Sequence, residues 1–599
     1  MGVVLSAGKP DCDVLVLNPV ESLWCQAYLG WARWIMNASP DVGPYEQRYQ
    51  QLFHMLTDNH VDFDYGEEQI MRDKWSLATD EQGNALLKIG QATYRTVLVT
   101  NMLTIRPTTL EILKAFSEAG GTVIFAGELP AYVDAVASEV PAALAQNCCR
   151  VGFDEQEILS AIRAGSQSFV DVRNAEGNAE RAVFVQVRRD VDGEGSVAAV
   201  VLNTDRENGR CGLTLQLAVP AGMSVEEWDL ESGNRYNAKV NWKDGIAEIA
   251  FDMDAAGTRC FVLTNAREQL PAQPATAVKQ TLEITEADFA PVLDEQNVCV
   301  LDYCRWRWAD KDWSEPAEAL RIDSQVRGAV GIERRGGEML QPWFAKLHYT
   351  EKYGEIELEY EFFIDQMPKG TVALAGERPE TNAYYINGIA LENKDINDFW
   401  VDDCFKKMYV PEGALKLGRN VVTIKVNFMR TTNIEAIYLI GDFGVSLSET
   451  NKRTLVAAPT QIGLGNYANY GMPFYTGSMT YRILPEMYAG LTVEEGDRVT
   501  LSAKFTGGCF KVTTKSGTQI VGWDPYEADV TEAVKAGQSI DLCVVGTRKN
   551  VFGPLHQLPT IAGACGPGNF VTGGQNWTDE YVLIDSGASK LQFTVKTEI

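Results

Sequence analysis

The chain has 599 residues, with 53 Lys and Arg against 81 Asp and Glu, a formal net charge of −28 and a pI near 4.7. Such a field repels nucleic-acid phosphates and anionic membrane surfaces, which argues against both as partners and fits a neutral ligand. No run of about 18 apolar residues occurs, so no segment is expected to span a bilayer.

A chain of this length has room for about three to five domains, each with its own core. The N-terminus shows no basic region followed by an apolar stretch, so no secretory signal is read and a cytoplasmic location is expected. Twelve cysteines are scattered without a C-x-x-C pair. They read as small buried apolar residues in a reducing compartment. Two sequons, Asn37-Ala38-Ser39 and Asn576-Trp577-Thr578, carry weight only in a secreted chain, and the first is followed by Pro40.

Residues 1–175 alternate short β-rich runs with helical patterns. Strands are expected at Asp13–Leu17, Thr96–Thr100 and Thr122–Ala126, and helices at Tyr45–Asn59, Thr108–Ala119 and Ala131–Glu139. Gly120-Gly121 supplies a helix stop and a turn into the next strand. Continuous apolar strands separated by helices predict a parallel, doubly wound sheet. Right-handed crossovers would put functional loops at the carboxyl ends of its strands, at 18–24, 62–68, 101–104 and 127–129.

From 176 to 268 the pattern changes to period two, as in RAVFVQVRRD, SVAAVVLNTD and CGLTLQLAVP, which predicts a small antiparallel β-sandwich. Residues 269–280 include LPAQPATA and read as a linker. A second all-β unit is expected over 281–450, with alternating strands such as GEIELEYEFFI and a hairpin signal at Asn387-Gly388. A third spans 451–599 and is strand-rich with dense glycines. The expected fold class is therefore multidomain: a flavodoxin-like α/β sheet followed by β-sandwiches.

Several long segments, in order along the chain, resemble glycoside hydrolases of family 106, the α-L-rhamnosidase-like enzymes. LSAGKPDCDVLVLNPVESLW looks like the point where such enzymes leave their catalytic barrel. HVDFDYGEE (60–68) is similar to a segment of the flavodoxin-like domain after the barrel, and VEEWDLESG resembles the small β-domain. ERPETNAYYINGIALENKDINDFWVDDCF, LGRNVVTIKVNF and IEAIYLIGDFGV look like the family's galactose-binding-type jelly roll. GTRKNVFGPLHQ and NWTDEYVLIDSG resemble its C-terminal segments. The resemblance implies the accessory part of such an enzyme, without the barrel that holds the catalytic carboxylates. It also implies a carbohydrate ligand, with a separate barrel chain or self-association through the N-terminal surface as partner.

Independent of the family, the residues disfavour several chemistries. No G-x-S-x-G elbow occurs, and the turn after Thr96–Thr100 offers Asn101 rather than Ser or Cys. The four histidines, His54, His60, His348 and His556, are not paired at helical spacing and read as structural. No phosphate-cradling glycine motif is present. No cofactor and no metal site is expected; a structural calcium is the one ion the acidic oxygens would suit.

Glycosidic cleavage needs two carboxylates. The densest group is Asp62, Asp64, Glu67 and Glu68, at an expected strand end. It either projects into a sugar site or flanks Phe63 and stabilises the next helix N-terminus. Sugar rings stack on aromatic faces, which singles out Trp400 beside Asp402 and Asp403, and Trp306 and Trp308 on one strand face that is either a binding platform or, more often, core or domain interface. Trp400→Ala is expected to weaken sugar binding without unfolding the chain. Trp24, Trp31 and Trp34 follow the first strand, and the last two, at helical spacing, would pack against whatever precedes this sequence. Three readings compete: an accessory part of a glycosidase, a carbohydrate-binding scaffold, and an autonomous glycosidase with its carboxylates near 62–68 or 400–403.

Overall fold

The computed structural model describes residues 1–26, 42–265, 269–334, 342–449, 452–560 and 566–598. Trp31, Trp34 and the Asn37 sequon lie outside them. The described residues fall into two compact units, one ending at Pro274 and the other beginning at Ala275. The chain is β-rich, with one five-stranded parallel sheet and several antiparallel ones.

The first unit opens on the short helix α1 (Gly2–Ser6). Five parallel strands follow: β1 (Val14–Leu17), β2 (Asp64–Gly66), β3 (Thr96–Thr100), β4 (Thr122–Ala126) and β5 (Cys149–Val151). Their spatial order is β5-β4-β3-β1-β2. Helices α2 (Gly43–Thr57), α3 (Glu68–Lys74) and α4 (Pro107–Glu118) lie between successive strands, and α5 (Glu155–Gly165) follows the last.

Every residue of β1 and β3 is buried, because both faces are covered. Leu15, Leu17, Val97 and Val99 meet Leu113 and Phe116 of α4 on one face. Val14, Val16 and Leu98 meet Leu52 and Leu56 of α2 and Ile158 and Ile162 of α5 on the other. Alternate side chains thus serve opposite layers, which is why the runs are uniformly apolar.

One expected helix is absent. Ala131–Glu139 forms instead a hairpin of Tyr132–Val133 with Val136–Ala137, followed by a helix at Val140–Ala145. Asp134 and Ala135 both have positive φ, 48° and 61°, as a two-residue type I′ turn requires.

Two antiparallel sheets, of six and four strands, form the sandwich of this unit, and two three-stranded sheets flank the parallel one in sequence. Val4 of α1 packs on Ala198, Val200, Cys260 and Val262 of the larger sheet. His60 joins the parallel sheet's layer to the sandwich: its Nδ1 lies 2.9 Å from Asp171 and its Nε2 3.2 Å from the Glu180 carbonyl.

The second unit starts with β6 (Thr276–Ile284), which pairs antiparallel with the final strand Gly587–Glu598. The segment expected as linker therefore ends in a strand that closes the C-terminal sandwich. Between those strands lies a two-sheet sandwich. One sheet contains β7 (Asn297–Leu301), Lys369–Glu377, Asp402–Tyr409 and Ile437–Asp442; the other contains β8 (Tyr303–Trp308), Lys352–Ile364, Gly418–Met429 and Ala383–Ile386. Along Lys352–Ile364 the even residues Ile356 to Ile364 face the core, while Glu357 and Glu359 pair outside with Arg307 and Arg305. Helix α6 (Ala319–Ala329) seals part of this core with Ile322 and Val326.

Among the described residues no helix is long and apolar enough to cross a membrane, and no described cysteine forms a disulfide.

Candidate functional site

Residues from both sheets of the second unit's sandwich line a cleft of about 320 Å³. Its floor is apolar and fully packed: Leu358, Tyr360, Tyr384, Ile424 and Val426 are all buried. Polar side chains surround that floor, among them Arg378, Thr381, Asn382, Asn427, Asn433 and Glu435.

Two buried phenols fix the lips. Tyr384 donates to the Glu377 carbonyl at 2.6 Å and Tyr360 to the Glu435 carbonyl at 2.8 Å. Arg378 sits in the left-handed region, φ 53°, and its carbonyl accepts from the N–H groups of Thr381 and Asn382. That tight turn holds the exposed arginine at the rim. Its guanidinium makes no hydrogen bond or ion pair among the described residues. An apolar floor ringed by amides, Lys352, the carboxylates Glu377 and Glu435 and the free guanidinium of Arg378 suits a ligand with C–H faces and many hydroxyls.

The same unit holds a cluster of buried charge. Asp302, at the end of β7, receives Arg453 at 2.5 Å and Tyr581 at 2.7 Å on Oδ1, and His556 Nε2 lies 3.1 Å from Oδ2. His556 Nδ1 faces the Glu580 carbonyl at 3.2 Å, and the ring is flanked by Trp577 and Tyr581. Burial works against ionisation of Asp302, yet the charge of Arg453 and the His556 bond hold it down to about 2. Burial likewise works against the imidazolium, but the bond to Asp302 and its charge raise His556 above its ordinary value. Glu318 caps α6, its Oε2 accepting from Leu320 and Arg321 at 3.0 and 3.2 Å. Burial, with Asp302 adding to it, pushes this carboxyl up to about 7. A cavity of about 60 Å³ touches Asp302, Glu318 and His556.

The residues singled out from sequence occupy other places. Asp62 is half-buried, accepts from the Phe63 N–H, and keeps Oδ2 buried without a partner; burial and Asp64 raise it to about 6. Asp64 accepts from Tyr94 at 2.8 Å. Glu67 caps α3 through Gln69 and Ile70, and Glu68 is buried with Oε1 accepting from the Arg106 N–H. Trp306 and Trp308 do share one strand face, but that face packs against the core opposite Leu358 and Ile356. Trp313, across the strand, is stacked by Arg305 and Arg307.

Trp400 differs most from its expected surface role. It is 6% exposed and packs among Phe405, Tyr438 and Phe552. Asp402 accepts from the Cys404 N–H, and Asp403 pairs with Lys406 at 2.6 Å. None of these lines the cleft. The cleft residues carry only a faint sequence signal, the polar turn GERPETN between two apolar strands. Among the described residues no group of three or more His, Cys, Asp and Glu is placed to hold a metal ion.

No family model matches the chain, and no curated protein does. Among solved structures it is similar to a rhamnosidase from Novosphingobium sp. PP1Y, at 14% identity and a TM-score of 0.32 over 72% of this chain. It is also similar to a GH42 β-galactosidase from G. stearothermophilus, 11% identical, TM-score 0.27, over 43% of this chain and 40% of that one. An α-L-fucosidase isoenzyme from Paenibacillus thiaminolyticus gives 11% and 0.27, over 43% of this chain and 49% of that one. The chain spans 39% of the rhamnosidase's length. The likeness is to glycoside hydrolases, and it is weak.

Proposed function

We propose that this chain recognises carbohydrate through the Arg378 cleft and serves as the part of a glycoside-hydrolase system that lies outside the catalytic barrel. In this reading the parallel-sheet domain is flavodoxin-like, the cleft-bearing sandwich is a galactose-binding-like jelly roll, and rhamnosides or similar glycosides are the ligands. A catalytic barrel is the partner. The ordered sequence segments quoted above support the reading.

The observation that carries it is the unpartnered guanidinium of Arg378 at the rim of a cleft with an apolar floor and amide walls. Titration of the purified chain with a saccharide panel tests it, with Arg378→Ala as the comparison.

The buried Asp302 pair does not support hydrolysis by this chain. Both Asp302 oxygens are already engaged by donors, so neither is free to attack or to activate water. A hydrolytic reading has one observation in its favour, since Glu377 and Glu435 both line the cleft. Aryl-glycoside turnover by the pure chain, lost in Glu435→Gln, would replace binding with catalysis.

A further inference from the structure

Glu318 has chemistry left over after its structural work. It is 7% exposed and uses Oε2 for both N–H groups at the start of α6. Its Oε1 has no hydrogen-bond partner among the described residues, and the residue lines the 60 Å³ cavity. The nearby cations are committed elsewhere, since Arg453 and His556 both bind Asp302. Glu318 makes no ion pair among the described residues. A buried carboxylate without a cation is costly, so such a group either stays protonated or takes a cation from outside.

The rest of the wall selects the kind of cation. Tyr438, Phe552, Pro554, Leu555 and Trp577 line the same cavity and give it apolar surface. This narrow, largely apolar wall with one carboxyl suits a slender chain with one charged end better than a ring bearing many hydroxyls. A hard metal ion would need several more oxygen ligands than this wall offers.

We propose that this cavity binds an alkylammonium group, with the amine on Glu318 Oε1 and the alkyl chain against Phe552 and Leu555. The group is supplied by a free amine or by a lysine side chain of another protein. The titratable groups around Glu318 are Asp302, Cys304, Tyr360, Glu435, Tyr438 and His556.

The test is calorimetric titration of the full chain with n-butylamine near pH 8, with n-butanol as the neutral isostere. The amine is expected to bind at least about tenfold more tightly than the alcohol. Its affinity should fall about tenfold per unit as pH drops below about 7, because Glu318 must then lose a proton to form the pair. Glu318→Gln keeps the helix cap and should weaken the amine about tenfold or more without changing the alcohol. Equal binding of amine and alcohol, a pH-independent affinity, or no binding of the amine would overturn the proposal. Should Glu318→Gln not fold, the pH series on the unaltered chain decides alone. Nα-acetyl-lysine methylamide binding as tightly as butylamine identifies a protein lysine as the source, and exclusion of that larger molecule identifies a free amine.

Discussion

Asp302 and His556 are 254 residues apart in the chain and meet at 3.1 Å inside the second unit. The contact ties the 550–583 segment to the sandwich through a carboxylate that also holds Arg453 and Tyr581. Removing one member leaves the other charges buried without compensation.

Asp302→Asn should therefore lower stability by about 3–5 kcal/mol at neutral pH, measured by urea unfolding. The folded carboxyl lies near 2, below its ordinary 3.8, so its contribution is present above pH 3.8 and is lost as pH falls toward 2. His556 is raised, so its contribution is full below its ordinary 6.5 and fades as pH rises through the folded value.

Glu318→Gln should have the opposite effect. The folded carboxyl titrates near 7 against an ordinary 4.5, so the folded state holds more protons and stability falls as pH rises between the two. The substitution keeps an acceptor for the α6 cap and removes this charge. At neutral pH it should stabilise the chain by about 2–3 kcal/mol, and below pH 4.5 the gain should vanish.

The same argument applies to Asp62 in the first unit. Its carboxyl is raised by burial to about 6 from an ordinary 3.8, with one oxygen buried and unpartnered. Asp62→Asn should raise the melting temperature at pH 7 and leave it unchanged below pH 3.8. A fall in melting temperature at pH 7 would mean that the charge is compensated.

Trp400→Ala should cost about 3–5 kcal/mol, because the ring fills the core between Phe405, Tyr438 and Phe552. Denaturant unfolding should show this loss directly. A mutant of normal stability would place the indole outside the core.

The contrast at Trp400 shows what the sequence makes legible. β3 and β4 are readable to the residue, since a strand buried on both faces must be a continuous apolar run. The hairpin at 132–137 is not, because its type I′ turn uses Asp134-Ala135 without the glycine that usually marks it. Trp400 beside two aspartates looks like an exposed sugar platform, yet its partners Tyr438 and Phe552 are remote in sequence. Asp302, Glu318, Arg453 and His556 share no local spacing; only the pairing of distant strands brings them together. Arg378 is hidden for another reason: its guanidinium stands out by having no partner among the described residues, which a sequence does not display.

The most direct measurement of the central claim is calorimetry of the purified chain with a saccharide panel that includes rhamnosides, beside Arg378→Ala. Binding without turnover is expected, with affinity about tenfold weaker in Arg378→Ala and an unchanged melting temperature. Failure to bind any saccharide, or binding indifferent to Arg378, would contradict the claim.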